Sequence, residues 1–232
     1  MSEITLYHGS SMVIESPQYG KGNSRNDYGL GFYCTFDIEL AKEWACSTKT
    51  GGFANAYSID MATLSILNLN DPAYGLLHWL AILVDNRVFS MDAPIALEGK
   101  AYLLEHFLPD ITVYDAIQGY RADDSYFTFA SDFLSNTISL SQLSRAMRIG
   151  ALGEQFVLKS PMAFDALAFL RSEPADGEMY FTKRQDRDRQ ARDQYLRRER
   201  RSVRERDDVF MLDILREEMK HGDARLQRNL SG

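Results

Sequence analysis

The stretch YGLGFYCTFDIELAKEW, residues 28–44, carries the clearest structural pattern in the chain. Two glycines, Gly29 and Gly31, flank Leu30 and precede an apolar and aromatic run. After Asp37, apolar residues repeat at three- and four-residue steps, which is typical of an amphipathic helix with an aspartate at its start. The stretch therefore predicts a turn, a short strand and a helix.

Tyr33 lies in the predicted short strand, directly after Gly31 and Phe32. Glycine lets the backbone approach a flat ligand or adopt a positive φ that other residues avoid. An aromatic ring beside such a backbone offers a planar ligand a surface for stacking. Glycine and aromatic residues also fill ordinary cores, so the stretch alone indicates either a ligand site or a packed strand.

Length and composition indicate one soluble domain, or one domain with an appendage, because 45% of the 232 residues are hydrophobic and 25% are charged. No window approaches 18 consecutive apolar residues. The sequence MSEITLYHGS lacks the basic and apolar regions of a signal peptide. We expect a cytoplasmic protein with no membrane partner.

The two cysteines, Cys34 and Cys46, are too few for a disulfide framework. One falls in the predicted strand and the other on the predicted helix, so we expect buried thiols in a reducing compartment. Two cysteines and four scattered histidines give no metal-ligand spacing, and we expect no metal site.

Charge is unevenly distributed over a chain whose net charge is −7. Residues 183–232 contain 15 Lys or Arg and 11 Asp or Glu, which leaves 11 basic and 22 acidic residues in 1–182. An acidic body of this kind is not typical of a general nucleic-acid binder held by phosphate contacts.

The remaining sequence predicts strands at 4–10, 53–60, 64–69, 113–119, 154–160 and 178–182. It predicts helices at 76–87, 94–108, 139–149 and, because proline is tolerated in the first turn, 161–170. Alternating opposite charges at 183–206 indicate a solvated helix. An apolar stripe at 209–219 marks a final helix, which packs either on the chain's own body or on a partner protein.

Several polar residues stand at predicted strand ends. His8 ends the first strand, and the following glycine permits close approach of a ligand; a histidine satisfied by nearby backbone explains the position equally well. Asp123 and Asp124 follow another strand and Arg121. Paired carboxylates there suit a cation or a ribose, whereas Asp124 also suits the start of the next helix.

Three strand ends, YHGS at 7–10, GFY at 31–33 and GEQ at 153–155, occur in an order that resembles the ADP-ribosyltransferase superfamily. The similarity is to the branch with poly-ADP-ribose polymerase and diphtheria toxin, whose motifs are a His or Arg, a Tyr after a glycine, and a late Glu or substitute. The chain is still more similar to the bacterial domain-of-unknown-function family 3990 over residues 6–170. Its shared segments are YHGS, YGLGFYCTFDIELAKEWA, WLAILVDNR, DAIQGYRADD and EQFVLKSPMAFDAL.

This resemblance implies an α+β fold, with an ADP-ribosyltransferase-like split antiparallel β-sheet, flanking helices and a C-terminal helical extension. We expect a catalytic domain at 1–182 and a charged helical extension at 183–232.

The resemblance also implies that NAD is the co-substrate. His8 would bind ribose hydroxyls, the Gly9 backbone would hold the carboxamide, and Tyr33 would stack on nicotinamide. The expected NAD-binding set is Tyr7, His8, Gly9, Ser10, Gly31, Phe32 and Tyr33.

Two residues compete for the third motif. Strand alternation points Glu154 and Gln155 to opposite faces, so one of them faces the cleft. Alignment on the apolar run favours Gln155, alignment on a Glu before a strand favours Glu154, and we expect Gln155 to face the ligand. Because glutamine is not a general base, Asp123 or Asp124 becomes the candidate for deprotonating the acceptor. Arg121 is a further candidate on the acceptor side.

The resemblance thus implies a mono-ADP-ribosyltransferase, a glycosyltransferase that acts as a cytoplasmic toxin of a toxin–antitoxin or anti-phage defence system. Its acceptor would be RNA or protein, and an antitoxin and a chaperone are its expected partners. Two alternatives are NAD hydrolysis without an acceptor and a catalytically silent fold that binds a partner through the stripe at 209–219.

Overall fold

A computed structural model of the protein describes residues 3–88, 92–122, 124–149, 153–202 and 205–230. The chain forms two compact units, each built from three segments. Unit 1 consists of Met1–Asn68, Asp110–Arg121 and Leu152–Arg187, and unit 2 of Leu69–Pro109, Ala122–Ala151 and Asp188–Gly232. The predicted boundary at residue 182 falls inside a helix, Gly177–Gln194, rather than at a linker.

Unit 1 contains two β-sheets, which together with the helices confirm the mixed α+β class. The strands are β1 Glu3–Ser10, β2 Phe32–Cys34, β3 Gly52–Asp60, β4 Ile66–Asn68, β5 Ala116–Tyr120, β6 Glu154–Leu158 and β7 Leu167–Ala175. One sheet has the order β1-β3-β7 and the other β2-β6-β5-β4. All neighbours are antiparallel except β4 and β5, which run parallel, so the second sheet is mixed rather than wholly antiparallel as expected.

The core of unit 1 collects the inward residues of both sheets, because strand alternation sends every second side chain to one face. This core contains Leu6, Phe32, Cys34, Tyr57, Ile59, Ala116, Phe156, Leu158 and Ala163. Helix α1, Ile38–Ala45, begins where predicted, with the Asp37 side chain accepting the Glu39 N–H at 2.8 Å. Cys34 and Cys46 are both buried free thiols, and burial raises the pKa of each.

Unit 2 is helical in the residues that the structure describes. Its helices are α2 Leu76–Asn86, α3 Pro94–His106, α4 Asp124–Leu134, α5 Leu140–Ala146, α8 Met211–Arg216 and α9 Ala224–Leu230. The part of α7 (Gly177–Gln194) after Arg187 and a π-helical segment, Tyr195–Glu199, also belong to it. Ser139 caps α5 in a reciprocal capping box with Gln142, as the predicted Ser cap requires.

The apolar stripe at 209–219 packs within unit 2. Met211 lies against Gly99 of α3, and the Tyr102 hydroxyl donates to the Met219 carbonyl oxygen at 3.1 Å. Val209 accepts a backbone hydrogen bond from Leu140 at 2.7 Å. These three stripe residues are buried, as are Phe210 and Ile214, whereas Leu212 and Leu215 are half-buried. Unit 2 therefore covers most of the stripe.

The helix predicted at 161–170 is wrong beyond its first turn. Helix α6, Pro161–Asp165, has only five residues, and β7 then pairs with β3 from Leu167 to Ala175. The alanine- and leucine-rich sequence favours a helix locally, but pairing with the open edge of β3 overrides that preference. Pro174 fits because β7 is an edge strand, where a missing N–H is tolerated.

The strand predicted at 178–182 is also wrong, because these residues form the first turns of α7. The Asp176 carboxylate accepts the Met179 N–H at 2.8 Å, which satisfies a donor at the helix start. The aromatic and β-branched residues of this stretch favour a strand, but Asp176, three residues before Met179, is the signal in the sequence for a helix start.

Within the described ranges, no helix is both long and apolar enough to cross a membrane.

Candidate functional site

β1 and β2 belong to different sheets and meet at one bridge. Tyr7 of β1 and Thr35, the residue directly after β2, exchange backbone hydrogen bonds of 2.8 and 2.9 Å and form an isolated antiparallel bridge. In an antiparallel strand, residues two apart direct their N–H and C=O groups to the same side. The N–H and C=O of Gly9 are therefore directed toward β2, at the edge where the two sheets split.

His8 spans this split with its side chain. Its Nδ1 lies 2.7 Å from the Tyr33 carbonyl oxygen. A carbonyl oxygen only accepts, so Nδ1 carries the proton and Nε2 of the neutral ring is a hydrogen-bond acceptor. Burial lowers the pKa of His8 and so favours this neutral form, whereas the hydrogen bond to Tyr33 acts in the opposite direction. The imidazole stacks on Phe32, with ring centroids 4.2 Å apart.

The Tyr33 side chain holds the glycine turn. Its hydroxyl donates to the Gly29 carbonyl oxygen at 2.5 Å and accepts the Tyr28 N–H at 3.1 Å. Neighbouring residues of a strand point to opposite faces, so the phenol lies on the face opposite Phe32 and the imidazole stacked on it. His8 and Tyr33 are thus joined through the Tyr33 backbone, not by two rings that face each other.

The glycines of the predicted site are required by packing. A Cβ on Gly9 would lie 2.0 Å from the Ala41 carbonyl oxygen of α1, and one on Gly31 would lie 2.6 Å from a Val157 methyl. Gly29 has the positive φ expected of the turn, 73°. Ser10 donates to the Met12 carbonyl oxygen at 2.6 Å, so its hydroxyl shapes the turn after β1.

Glu154 and Gln155 have different environments at the start of β6. Gln155 is 4% exposed, and its amide donates to the buried Asp27 carboxylate at 2.9 Å. Glu154 is more exposed and accepts from the Gln118 amide at 2.5 Å. Gln155 thus uses one of its two amide N–H donors inside the protein, and its expected orientation toward a ligand stays a prediction. Sequence reasoning missed Asp27 and Gln118, because their role depends on pairing between distant segments.

Arg121 and Trp44 form a second feature near this region. The Arg121 guanidinium lies 4.0 Å from the Trp44 ring centroid, a cation–π contact. The buried Nε1 of Trp44 has no hydrogen-bond partner among the described residues. Trp44 was not a predicted site residue, although it lies in the motif stretch. Asp123 lies outside the described residues, and Asp124 is the first residue of α4.

Helix α1 is the common neighbour of these features. Its Ala41 backbone contacts Gly9 at the end of β1, and its Leu40 side chain contacts Gly153 just before β6. Trp44, on the next turn of α1, contacts the guanidinium of Arg121, the residue directly after β5. The helix therefore brings the Gly9 backbone, the β6 start and Arg121 to one side of unit 1.

A cavity of about 430 Å³ in unit 1 includes one residue of the expected NAD-binding set, Gly31. It is lined by Tyr19, Gly20, Leu30, Gly31, Ile111, Thr112, Tyr114, Leu158, Lys159, Ser160, Pro161 and Phe164. His8, Tyr33 and Glu154 are not among its lining residues. No cluster of three or more His, Cys, Asp or Glu side chains suited to a metal ion occurs in the described part of the chain.

Comparison with known proteins gives one family match. No curated protein and no solved structure matches the chain. A family described as a protein of unknown function, DUF3990, matches residues 4–169, which include β2, α1, β6 and all of β1 except Glu3. Because the match covers most of the chain, the protein belongs to the DUF3990 family.

Proposed function

We propose that this protein is an NAD-dependent mono-ADP-ribosyltransferase that transfers ADP-ribose to a macromolecule and releases nicotinamide. The observation that carries the proposal is the split between β1 and β2. There the Gly9 N–H and C=O face the gap and His8 is fixed in one tautomer by the Tyr33 carbonyl. The resemblance to the ADP-ribosyltransferase superfamily, with its split sheet, supports the same assignment.

The split offers groups that complement parts of NAD. A backbone donor and acceptor side by side at a strand edge complement a primary carboxamide, which has one N–H₂ and one C=O. His8 Nε2, as an acceptor, complements a ribose hydroxyl. We therefore assign nicotinamide recognition to Gly9 and ribose recognition to His8.

Cleavage of the nicotinamide–ribose bond builds positive charge on the ribose, as in glycosyl transfer generally. Glu154 is the carboxylate that we assign to this charge, because it starts β6 and is not sealed in the core. Gln118 holds one of its oxygens and so restrains the side chain. The same carboxylate is the group we assign to accept the proton of the attacking hydroxyl.

The acceptor and the cellular role follow from the resemblance. We propose RNA or protein as acceptor, and a toxin of a toxin–antitoxin or anti-phage system as the role, with an antitoxin as partner. The silent, partner-binding alternative is less supported, because unit 2 buries Val209, Met211 and Met219 of the stripe.

The proposal is tested by incubating the full chain with NAD labelled in its adenylate, with and without total RNA or cell lysate. Label on RNA or protein with release of nicotinamide supports transfer, and free ADP-ribose alone supports hydrolysis. Glu154→Gln should lower nicotinamide release by about 100-fold or more, since one charge-stabilising group is worth about that much.

Glu105→Gln is the matched control, because Glu105 is a largely exposed carboxylate in unit 2. It should leave nicotinamide release unchanged. Unconsumed NAD in every reaction, or equal rates for Glu154→Gln and the unmodified chain, would contradict the proposal.

A further inference from the structure

The cavity of about 430 Å³ in unit 1 has the size of a small-molecule site. Four segments form it: the loop at 19–20, the turn at 30–31, the 3₁₀ segment Ile111–Val113 with Tyr114, and the β6–α6 junction. Lys159, at that junction, is five residues beyond Glu154. An extended strand rises about 3.3 Å per residue, so the two positions are roughly 16 Å apart. Glu154 therefore lies outside the cavity, whereas Phe164 in the cavity wall packs against Phe32, the ring on which His8 stacks.

Lys159 supplies the charge of the cavity. Its ammonium donates to the carbonyl oxygens of Tyr28 and Leu30, both at 2.6 Å. In the described chain, no carboxylate forms an ion pair with it. The nearby Asp115 instead accepts from Ser160 and from the Ser65 N–H. An ammonium has three donors, so one remains for a third acceptor.

A partly buried cation without a counter-ion is unfavourable, because burial removes water without replacing it by negative charge. Burial accordingly lowers the pKa of Lys159. An anionic oxygen would supply both the missing charge and the third acceptor, in a charge-assisted hydrogen bond.

The walls of the cavity are aromatic and aliphatic. Tyr19 packs edge-on against Phe164, with ring centroids 5.6 Å apart, and Tyr114 adds a third ring. Tyr19 is 57% exposed and Leu30 is 38% exposed, so apolar surface lies open at the rim. Such walls favour a ligand with a planar apolar body.

We propose that this cavity binds a small organic anion, a planar ring that carries a carboxylate or phosphate, with the anionic group on Lys159. A bound ligand would contact the turn that fixes Tyr33, because Lys159 holds the carbonyls on either side of Gly29.

Ligand-observed NMR titration of the full chain tests the site with three probes: benzoate, phenyl phosphate and neutral benzyl alcohol. The two anions should bind at about millimolar Kd or tighter, and at least about tenfold more tightly than the alcohol. Benzoate and phenyl phosphate also distinguish a carboxylate from a phosphate preference. The assay contains no NAD, so its result is independent of the proposed transferase activity.

Lys159→Met removes the charge and keeps an apolar stem, and it should weaken anion binding about tenfold or more. Leu30→Glu is a second variant, for the case that Lys159→Met does not fold, because Leu30 is an exposed rim residue whose replacement should leave the fold intact. Its negative charge should weaken anion binding to a similar extent. Lys220→Met, at an exposed position in unit 2, is the matched control and should change nothing. Equal binding of the alcohol, no anion binding up to about 10 mM, or unchanged anion binding by Leu30→Glu would each overturn the proposal.

Discussion

Gly9 lies where β1 passes under α1, and its missing side chain leaves room for the helix backbone. The same residue directs its N–H and C=O to the split between the sheets. The sequence predicts a glycine contact with a ligand, but the tight contact with Ala41 is a tertiary feature that no local pattern shows. The YHGS motif therefore identifies Gly9 as a special position, but it does not predict the close contact with Ala41 that requires a glycine there.

Gly9→Ala should destabilise the protein by about 3 kcal/mol or more, because the new methyl group meets backbone atoms that cannot rotate away. Gly20→Ala is a useful contrast, since Gly20 has a φ of 79° and no atom within 4 Å of an added Cβ. That substitution should cost only about 1 kcal/mol, from the strained backbone alone. Urea unfolding followed by circular dichroism measures both, and similar losses for the two variants would contradict the packing argument.

His78 is a buried histidine at the start of α2, in unit 2. Its Nδ1 accepts the Gly75 N–H at 3.1 Å, and its ring lies 4.8 Å from that of His221. Burial and, to a lesser degree, His221 lower the pKa of His78 to about 4. The unfolded chain then binds a proton that the folded chain does not, so stability falls as the pH drops from the ordinary value of 6.5 toward about 4.

His78→Gln should remove this acid sensitivity while it keeps an acceptor for the Gly75 N–H. Between about pH 7.5 and about pH 5, the unmodified protein should lose about 2 kcal/mol more unfolding free energy than the variant. Urea titrations at the two pH values measure the difference. Equal losses in both proteins would mean that His78 is not the group responsible.

The charge pattern of helix α7 predicts its helical structure but not its contacts with another helix. The sequence predicts a solvated helix from residue 183, but the first turns of α7 are fastened to α1. Arg187 lies 2.6 Å and Lys183 3.7 Å from the Glu43 carboxylate, whose side chain is 3% exposed. Burial raises the pKa of Glu43, and the charges of Arg187 and Lys183 oppose this rise.

Arg187→Met should destabilise unit 1 by about 2 kcal/mol, below the range for fully buried pairs because Lys183 still faces Glu43. The double variant Arg187→Met with Glu43→Leu should be less destabilised than the single one, since no buried carboxylate is left under-compensated. Arg192→Met is the control, because its pair with Asp188 is about half exposed on the arginine side. Thermal and urea unfolding would contradict the argument if the double variant were the least stable.

Elements with their own periodicity were predictable, and elements defined by a distant partner were not. The regions of β1, β2, α1, α2 and α5 agree with the sequence pattern, since spacing and caps lie within each segment. β7 depends on the free edge of β3, more than a hundred residues earlier in the chain. The His8–Tyr33 hydrogen bond likewise uses a backbone carbonyl, which carries no sequence signature.

At the scale of the whole molecule, the chain passes between the two units five times, after residues 68, 109, 121, 151 and 187. The C-terminal segment is therefore part of unit 2 rather than an appendage to a finished domain. Met211 and Ile214 are fully buried there, together with Tyr195. Tyr195 donates its hydroxyl to the Asp132 carboxylate at 2.5 Å.

A fragment that ends at residue 182 should not fold unit 2, because it lacks these buried side chains and leaves their apolar contacts open. We expect strong binding of the dye ANS and weak near-ultraviolet circular dichroism, compared with the full chain under the same conditions. Cooperative unfolding of the fragment, with a near-ultraviolet spectrum like that of the full chain, would contradict this expectation.

The interleaved segments also govern when folding can finish on the ribosome. β3 emerges early and pairs with β1, but its second neighbour, β7, is synthesised more than a hundred residues later. The helical unit waits longer still, for Met211 and Ile214. Nascent chains of this protein must therefore keep unit 2 unpacked until Met211 and Ile214 have been synthesised. Chains that terminate before that point carry exposed apolar surface that proteases and chaperones recognise.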